Sequence, residues 1–251
     1  MARFFVPESS IKGDQVVITG PDVKHIGRVL RLGPGDEIVL SPGNGRRFLT
    51  RISEITSREV LCKIISEQEV LTEPPVRVSL YQGLPKGEKM ELVIQKTTEL
   101  GVGRIVPVDC ERTVVRLDRK KAAARQARWQ RVAEEAAKQS GRTVVPQVSE
   151  PVGFETALAG LPAGCLALMP WEEESLTGIR TVLQGNTNAV EIAVFIGPEG
   201  GFSRREAELA RVRRVIPVSI GPRIMRTETA GIAAVAVIMY ELGDLGGLVN
   251  G

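Results

Sequence analysis

The 251-residue sequence predicts an α/β fold with a smaller β domain at its amino terminus. Residues 1–72 contain short alternating strands separated by turns, which is typical of a small β-barrel or sandwich. From residue 73 onward, apolar strand segments alternate with helical patterns, as in βαβ units with a largely parallel sheet. The Pro74-Pro75 pair interrupts both patterns, so we assign residues 1–72 and 73–251 to the two domains.

The strands of the first domain are predicted in three segments: QVVITG, DEIVLSPGNGRRFLTRISEI and EVLCKIISEQEV. Turns rich in glycine and proline interrupt them. Between the first strands, DVKHIGRVLRLG carries Val23, Ile26 and Val29 at helical spacing. This spacing predicts one short basic helix that ends at Gly33.

The second domain begins with the predicted strand VRVSLYQGL, the helix KGEKMELVIQKTTELG and the strand RIVPVDC. A long basic helix, LDRKKAAARQARWQRVAEEAAKQSG, comes next, and then the strands TVVPQV, CLALMP, EIAVFIG and VIPVSIG. The last helix, TETAGIAAVAVIMYELGD, is apolar on almost every side. Such a helix is buried, so it predicts either an internal helix or a homodimer interface.

The composition excludes several mechanisms. A single histidine cannot supply the sets of imidazoles that many zinc and iron enzymes need. The three cysteines contain no CxxC pair, which predicts free thiols and no metal site. No stretch reaches the ~20 apolar residues of a membrane helix, and MARFFVPESS lacks the apolar core of a signal peptide. We therefore expect a soluble, cytoplasmic protein without a membrane partner.

Positive charge is concentrated in two segments, although the formal net charge is only +3. Residues 111–142 carry 10 Lys/Arg against 4 Asp/Glu, and residues 24–51 carry six basic side chains against two acidic ones. Two basic patches on a nearly neutral chain predict a polyanionic partner, with ordinary solvated surface charge as the alternative.

Two similar loops are candidate ligand sites. The first, FIGPEGGFSRREAEL (residues 195–209), follows an apolar strand and begins a helix with a capping box between Ser203 and Glu206. Its glycines permit close approach of a ligand, and ligands bind at the carboxyl ends of parallel strands. No dinucleotide or P-loop motif is present, and Glu199 would repel phosphate, so a ligand with positive charge fits better. A tight turn without a ligand is the alternative.

The second loop, SIGPRIMRTETAG, covers residues 219–231. Arg223, Arg226 and Glu228 are crowded in it just before the apolar helix. Charged side chains at such a position are costly unless they are paired or used. They indicate a functional site, with a structural Arg226–Glu228 pair as the alternative.

These loops carry a family resemblance. IGPEGGFS and IGPRIMRTETA, with GLPKGEKMELVIQKTTELG, the QSGR segment and the amino-terminal RFFV, HIGRVLR and GDEI, resemble the bacterial 16S ribosomal RNA uracil-N3 methyltransferase family of the SPOUT superfamily. The resemblance covers nearly the whole chain. Met225 and Ile220 stand where the family commonly has leucine, and both replacements are conservative.

The resemblance implies a PUA-like β-barrel over residues 1–72 and a SPOUT α/β methyltransferase domain with a carboxyl-terminal trefoil knot over residues 73–251. It also implies S-adenosylmethionine as the cofactor, held in the knotted loops largely through backbone atoms. Transferred by motif, the cofactor contacts are Leu168, Met169, Gly197, Pro198, Glu199, Gly200, Gly201, Ile220, Gly221, Met225, Thr229 and Ala230.

Methylation of uracil N3 requires the loss of its imide proton, so the site needs a base or an anion stabiliser. We expect Arg226 to stabilise the negative charge that develops on the neighbouring carbonyl oxygens. We expect Glu199 or Glu228 to orient the base or to accept the proton. For Glu199, capping of backbone N–H groups in its own loop is an equal alternative.

N3 lies on the Watson–Crick edge, so the target uridine must be unpaired or flipped out while phosphates supply binding energy. The expected partner is 16S ribosomal RNA or the 30S subunit. The candidate phosphate contacts are Arg3, Arg28, Arg31, Arg46, Arg47, Lys86, Lys89 and Arg112, and the helix from Arg119 to Arg131 can join them. His25 is expected to be structural or an RNA contact. Gln95, Thr98 and Glu99 can shape either the subunit interface or the site.

Two other functions stay open. One is a SPOUT methyltransferase that acts on another RNA or another atom, and the second is a non-catalytic RNA-binding assembly factor. The intact GPEGG and TETAG loops count against the second, because a protein without cofactor binding has no need of strained glycine loops together with Glu199.

Overall fold

The computed structural model describes residues 1–70, 72–115 and 118–247, without the side chain of Arg119. These residues form two compact units, and each is described by itself. The first contains Met1–Glu73 and Ala137–Val145, and the second contains Pro74–Ala136 and the chain from residue 146 onward. The segment Ala137–Val145 thus packs in the first unit, although it lies far along the sequence.

The first unit is built on a six-stranded sheet. Its strands are β1 (Arg3–Phe5), β2 (Ile11–Lys12), β3 (Gln15–Thr19), β4 (Glu37–Ser41), β5 (Phe48–Ile55) and β6 (Glu59–Glu67). The spatial order is β1-β4-β5-β6-β3-β2. Only β1 and β4 are parallel, and the other described pairs are antiparallel. The predicted strands and hairpins of this region are confirmed.

The predicted basic helix is shorter and less regular than expected. It begins as α1 (Pro21–Lys24) and continues as a π-helical turn, His25–Val29, with Leu30 N–H donating to the carbonyl of His25. Arg31 then has a positive φ of 55°, so the helix ends before Gly33. The wider π turn leaves the side chain of Val29 67% exposed. The helical spacing of apolar residues therefore predicts more burial in this segment than the structure shows.

A single apolar core holds the first unit together. Side chains from β1, β3, β4, β5 and β6 form one cluster with Val23 and Ile26 of the helical segment. The segment Ala137–Val145 is tied to this unit by an ion pair of 2.8 Å between Arg142 Nη2 and Glu73 Oε2. Arg142 is 4% exposed, so its charge is compensated by a carboxylate rather than by water.

The second unit contains a parallel sheet of seven strands. They are β7 (Arg77–Gly83), β8 (Arg104–Asp109), β9 (Gln147–Val148), β10 (Val152–Gly153), β11 (Leu166–Pro170), β12 (Glu191–Ile196) and β13 (Ile216–Val218). The order is β10-β8-β7-β12-β11-β13, and β9 also pairs with β8. Every described pair is parallel, which confirms the predicted α/β architecture.

In the described ranges, six helices accompany this sheet: α2 (Lys89–Glu99), α3 (Arg119–Ser140, whose last residues from Ala137 belong to the first unit), α4 (Phe154–Ala159), α5 (Ile179–Gln184), α6 (Arg204–Val212) and α7 (Thr227–Glu241). The short helices α4 and α5 are not predicted from the sequence, because six residues are too few to show a helical period. The first residue of the predicted long helix, Leu117, lies outside the described residues. No helix among the described residues has the length and apolar character needed to cross a membrane.

Apolar side chains cover both faces of the parallel sheet. Alternate residues of its strands point to opposite sides, so that Leu168 belongs to one core and Met169 to the other. The core with Leu168 also contains side chains of α2, α5 and α7, whereas the core with Met169 contains those of α4 and α6. Burial on both faces explains why the strands read as nearly continuous apolar runs.

Candidate cofactor and catalytic site

The two glycine-proline loops lie at one edge of the parallel sheet. In the strand register, Gln82 of β7 is opposite Ile196 of β12, and Pro170 of β11 is opposite Val218 of β13. The segments that leave these four strands therefore meet at the carboxyl edge, where parallel sheets bind their ligands. We call residues 197–203 the GPEGG loop and residues 219–226 the GPRIM loop.

The GPEGG loop is a tight turn in close contact with its neighbours. Gly201 has a φ of +67° and donates its N–H to the carbonyl of Pro198 at 2.9 Å. A Cβ atom on Gly83, at the end of β7, would lie 2.5 Å from the backbone nitrogen of Pro198. A Cβ on Gly197 would lie 3.0 Å from the carbonyl carbon of Gly201. A side chain at Gly83 would thus force the backbone of the turn to shift, and one at Gly197 would crowd it.

The predicted capping box at the start of α6 is confirmed. Ser203 Oγ accepts from the Glu206 N–H at 3.1 Å, and Glu206 Oε2 accepts from the Ser203 N–H at 2.9 Å. Glu206 also accepts from the N–H of Glu111 at 2.8 Å, and Ser203 Oγ donates to Glu111 Oε2. The segment after β8 is therefore fastened to the end of the GPEGG loop. Arg112, a predicted phosphate contact, donates to the carbonyl of Gly200 in the same loop at 2.9 Å.

Lys89 joins the two carboxylates that the sequence singles out. Its Nζ lies 3.2 Å from Glu199 Oε1 and 3.3 Å from Glu228 Oε2. The hydrogen bond to Glu199 is the main cause that raises the pKa of Lys89 above its usual range. Lys89 begins α2, so three segments that leave the sheet meet at this ammonium group. The structure places Glu228 beside Lys89 rather than in an ion pair with Arg226.

The carboxylate of Glu199 already serves two donors. Its Oε1 accepts from the backbone N–H of Lys86 at 3.0 Å and from Lys89 Nζ. Partial burial raises the pKa of Glu199, but the hydrogen bonds from the Lys86 N–H, its own N–H and Lys89 outweigh that effect and lower it overall. The Glu199 carboxylate is thus held by the segment that follows β7 and by its own backbone N–H.

Glu228 has more free acceptor capacity than Glu199. Its side chain is 12% exposed, and Oε2 forms an ion pair with Lys89 that lacks hydrogen-bond geometry. Within the described residues this buried oxygen accepts no hydrogen bond. Buried carboxylate oxygens are almost always hydrogen-bonded, so this one is suited to a donor from a bound molecule.

Arg226 is exposed just before α7. Its carbonyl accepts from the N–H of Ala230 at 2.8 Å, while its guanidinium contacts no carboxylate in the described part of the chain. The side chain of Ile224, in the same loop, is 92% exposed. Gly221 has a φ of +123°, which favours glycine at that turn. The GPRIM loop thus presents an unpaired cation at the carboxyl edge.

The other predicted cofactor contacts differ in their environment. Leu168 and Met169 are completely buried on opposite faces of β11, which lies between β12 and β13 in the sheet. Thr229 is exposed in the first turn of α7, and Ile220, Met225 and Ala230 are half-buried. The structure brings these residues to the same sheet edge but records no direct contact that assigns a role to them.

Two buried polar residues at this edge are missed by the sequence analysis. Thr227 Oγ1 donates to the carbonyl of Gly197 at 2.5 Å, and Gln82 Nε2 donates to Thr227 Oγ1 at 2.8 Å. Gln82 is completely buried. Its position, a polar residue at the end of the apolar segment VRVSLYQGL, is the signal that could have identified it.

The candidate phosphate contacts of the first unit fall into two groups. Arg28 and Arg31 are exposed and have no ion pair among the described residues. Arg46, in contrast, pairs with carboxylates of Glu8 and Glu67 at 3.2 and 2.9 Å.

Two further arginines of the first unit surround Gly141. Arg47 donates to the Gly141 carbonyl at 2.7 Å, and burial is the main cause that lowers the pKa of Arg47. The guanidinium of Arg3 packs against the Cα of Gly141. In the second unit, Lys86 is exposed. Arg28, Arg31 and Lys86 are therefore the cations most available to a polyanion.

The residues of the QKTTELG segment lie in different environments. Gln95 is exposed on α2, Thr98 is completely buried, and Glu99 pairs with Lys96 at 2.9 Å. His25 packs edge-on against the ring of Phe4, which fits a structural role. All three cysteines are free, and no cluster of three metal-ligating side chains occurs in the described ranges.

Comparison with known proteins decides the family. A sequence model described as RNA methyltransferase domain matches residues 72–239, and one described as RNA methyltransferase PUA domain matches residues 18–65. The chain belongs to the RNA methyltransferase family. This confirms the family predicted from the two loops.

Individual members of the RNA methyltransferase family agree over almost the whole chain. Ribosomal RNA small subunit methyltransferase E of Bacillus subtilis is 34% identical over 96% of this chain and 97% of its own length. The protein of that name from Synechocystis is 32% identical over 94% of this chain and 76% of its own. The crystal structure of a Neisseria gonorrhoeae protein of the same name, bound to S-adenosylmethionine, has 32% identity and a TM-score of 0.87 over 98% of this chain and 99% of that one.

The edge of the sheet fits the cofactor that the family resemblance implies. The GPEGG loop has a backbone cradle that a Cβ on Gly197 or Gly83 would fill. Beside it, two carboxylates share one ammonium group, so the cluster of Lys89, Glu199 and Glu228 carries a net negative charge. A sulfonium ligand suits such a site better than a phosphate ligand does.

Proposed function

We propose that this chain transfers the methyl group of S-adenosylmethionine to N3 of a specific uridine in 16S ribosomal RNA. Membership of the RNA methyltransferase family supports the reaction, and the names of the bacterial relatives support the small ribosomal subunit as the source of the substrate. The observation that carries the proposal is the meeting of the two glycine-proline loops at the carboxyl edge, where Lys89 joins Glu199 to Glu228.

The cofactor is proposed to lie against the backbone of three segments. These are the end of β11 at Leu168 and Met169, the GPEGG loop from Gly197 to Gly201, and the GPRIM loop with the start of α7 at Ile220, Gly221, Met225, Thr229 and Ala230. The chemistry that S-adenosylmethionine supplies when bound is a methyl group activated by a sulfonium. The protein's own task is then to orient the uracil and to manage its imide proton.

Of the two carboxylates, the geometry favours Glu228 as the proton acceptor. Oε1 of Glu199 accepts from the Lys86 N–H and from Lys89, whereas Oε2 of Glu228 has the ion pair with Lys89 at 3.3 Å as its one described partner. Glu199 then orients Lys89 and shapes its loop. Arg226, exposed and free of carboxylates, supplies positive charge to the carbonyl oxygens of the uracil as its N3 loses the proton.

The RNA is proposed to contact cations on both units. Arg28 and Arg31 on the first unit and Lys86 on the second offer charge that no described carboxylate neutralises. Arg46, Arg47, Lys89 and Arg112 already form hydrogen bonds or ion pairs within the protein, and the guanidinium of Arg3 lies against Gly141, so we assign these five a secondary part in RNA binding. The PUA match over residues 18–65 supports a role of the first domain, residues 1–72, in RNA binding.

The trefoil knot is part of the proposal for residues 73–251. Ser219 donates to the carbonyl of Thr177 at 2.8 Å and accepts from the N–H of Ile179 at 2.9 Å, so the GPRIM loop runs beside the segment that follows β11. The chain then returns to the middle of the sheet, because α7 packs on α2, β7 and β12. A chain that passes the loop after β11 and comes back over the centre is what a knotted carboxyl terminus requires.

A homodimer in the cytoplasm is the proposed form of the enzyme. One side of α7 is buried in the core, but Tyr240 at its end and Leu92 on the adjacent α2 remain exposed. A second copy of the chain is the proposed cover of this apolar surface. Light scattering at micromolar concentration tests it, and a monomer would contradict the dimer.

Methylation of ribosomal RNA tests the proposed reaction. The substrates are naked 16S ribosomal RNA and 30S subunits from a strain that lacks the modification, and reverse-transcription stops locate the methylated base. We expect one stop at a uridine with the wild-type chain, and a loss of about 100-fold in turnover with Arg226→Ala at saturating cofactor. A stop on another RNA, or a methylated ribose, would instead indicate the alternative SPOUT activity.

Stabilisation of the folded chain by S-adenosylmethionine distinguishes an enzyme from a non-catalytic assembly factor. We expect S-adenosylmethionine at 100 times its Kd to stabilise the folded chain by about 2.7 kcal/mol, seen as a raised melting temperature. Binding of RNA without any response to the cofactor would support the assembly factor.

A further inference from the structure

We infer that Thr227 is a positioning residue for the cofactor loop: its hydroxyl fixes the peptide between Gly197 and Pro198, and Gln82 aligns that hydroxyl. The inference rests on the proposed function, because it concerns how the GPEGG loop is prepared for S-adenosylmethionine. These hydrogen bonds connect three places in the fold: the end of β7, the residue after β12 and the first residue of α7.

The surrounding hydrogen bonds allow the Thr227 hydroxyl group only one orientation. Gln82 Nε2 donates to Oγ1 at 2.8 Å, so a lone pair of that oxygen is occupied. The single hydroxyl proton is then directed to the carbonyl oxygen of Gly197 at 2.5 Å. Thr227 is buried, so water does not compete for this proton.

The orientation of the Gln82 amide follows from its two acceptors. Nε2 also donates to the carbonyl of Gly83 at 3.2 Å. If the amide were turned over, Oε1 would face the Gly83 carbonyl oxygen, and two acceptors would repel each other. The amide nitrogen therefore points to both acceptors, and the chain Gln82 to Thr227 to Gly197 has a defined direction.

The same peptide is held from its other side by packing. The space beside the Pro198 nitrogen is so small that a Cβ on Gly83 would come within 2.5 Å of it. The carbonyl oxygen of Gly197 is fixed by Thr227, and the nitrogen of Pro198 is fixed by the backbone of β7. Because both ends of the peptide are held, the turn from Pro198 to Gly201 has its orientation set before a ligand arrives.

Gln82 gains little stability from this arrangement. Its Oε1 has no hydrogen-bond partner among the described residues, although the residue is completely buried. A Cβ on Gly231 of α7 would lie only 2.5 Å from that oxygen, so the helix passes very close. An apolar side chain would fill the same space without an unsatisfied oxygen. The arrangement is better explained by alignment of Thr227 than by stabilisation of the sheet.

Isothermal titration of the full chain with S-adenosylmethionine tests the inference. We expect Thr227→Val, which keeps the shape but removes the hydroxyl, to weaken binding about tenfold, and Thr227→Ser to stay within about twofold of the wild type. In methylation assays Thr227→Val should raise KM for the cofactor by a similar factor, with kcat at saturation nearly unchanged. Equal affinities of wild type and Thr227→Val would overturn the inference.

A matched control and a second variant keep the outcome clear. Thr97, a buried threonine of α2 that donates to the Val93 carbonyl at 2.8 Å, has no contact with the loop, so Thr97→Val should bind the cofactor normally. If Thr227→Val does not fold, Gln82→Leu tests the same alignment, with an expected loss of about three- to fivefold in affinity. Unchanged binding by a folded Gln82→Leu would contradict the inference. Failure of the wild type to bind at all would instead refute the proposed function.

Discussion

The two loops at the carboxyl edge share the tripeptide Ile-Gly-Pro but are held in different ways. It occupies residues 196–198 at the entry to the GPEGG loop and residues 220–222 within the GPRIM loop. In the GPEGG loop, three neighbouring segments contribute hydrogen bonds: the one after β7 through Lys86 and Lys89, the one after β8 through Arg112, and the start of α7 through Thr227. In the GPRIM loop, Ile224 and the charged side chains around it are exposed. A shared local sequence therefore does not determine how firmly a loop is held.

The difference indicates a division of labour. A loop that is fixed before binding loses little conformational freedom when a ligand arrives, which favours affinity. The GPEGG loop has this property and is the proposed base of the cofactor site. The GPRIM loop carries Arg226, which must meet the substrate rather than the protein. Substitutions that loosen the first loop should therefore change cofactor affinity, whereas substitutions of exposed side chains in the second should leave the fold intact.

The largest effect on cofactor affinity is expected for Gly83→Ala. A Cβ at this position would lie 2.5 Å from the nitrogen of Pro198, and backbone cannot move away as a flexible side chain can. The GPEGG loop must shift, so we expect cofactor affinity to fall more than tenfold and the free energy of unfolding to fall by about 1–3 kcal/mol. Calorimetric titration and urea unfolding measure the two quantities.

Gly153→Ala is the matched control for this prediction. Gly153 also ends a strand of the parallel sheet, has a φ of −69°, and has no atom within 4 Å of an added Cβ. We expect both quantities to remain close to wild type. If Gly83→Ala bound the cofactor as tightly as Gly153→Ala, the close packing against Pro198 would not be what holds the loop.

The next effect is expected for Lys89→Met. The substitution keeps much of the side chain's length but removes the charge between Glu199 and Glu228, so two carboxylates face each other without a cation. We expect kcat/KM to fall about tenfold or more through disorder of both carboxylates. Steady-state methylation of ribosomal RNA measures it. Lys96→Met on the same helix removes a pair with Glu99 away from the loops and should retain activity; equal loss in both variants would contradict the assignment.

A smaller effect is expected from the ionisation of Glu199. Its pKa is lowered in the folded chain, so its interactions add stability above the usual glutamate pKa of about 4.3 and lose it as the pH falls through the lower folded value. Glu199→Gln lacks this contribution. We expect the difference in unfolding free energy between wild type and variant to shrink as the pH falls from about 5 to about 3. Urea unfolding at several pH values measures it, and a constant difference would show that the charge of Glu199 is not involved.

Much of the fold is predictable because the sheet has strong patterns. The apolar segments EIAVFIG and VIPVSIG form β12 and β13 as predicted, since burial on both faces leaves a continuous apolar run. The helix that ends near Gly33 is predicted less well, because the apolar period does not distinguish an α turn from the π turn at His25–Val29. The helix α5 is too short to produce a period at all.

The sequence predicts where the candidate site lies, but not which of its charged side chains form ion pairs with each other. Glycines and a capping box identify the GPEGG loop, since these residues act locally. The partner of Glu228 could not be predicted, because Lys89 is distant in sequence and reaches it only through the strand order β7-β12-β11-β13. For the same reason the role of Thr227 was missed, because a buried hydroxyl has no signature until the chain is folded. Gln82 has one local signal, its place at the end of an apolar segment, but that signal does not reveal its partner.

The smallest effect is expected for Ile224→Ala in the GPRIM loop. Its side chain is 92% exposed, so truncation removes almost no buried surface, whereas Phe202 in the GPEGG loop is 2% exposed and packs in the core. Without the cofactor, we expect Ile224→Ala to change the unfolding free energy by less than about 0.5 kcal/mol, and Phe202→Ala to lower it by about 3–5 kcal/mol. Urea unfolding measures both.

A loss of more than about 1 kcal/mol for Ile224→Ala would mean that the GPRIM loop is packed in solution, and the contrast between the loops would fail. Repeating the measurement with S-adenosylmethionine sharpens the same contrast. If the difference between wild type and Ile224→Ala emerges only with the cofactor present, Ile224 becomes buried on binding. The GPEGG loop would then supply the fixed wall of the site, and the GPRIM loop the wall that closes.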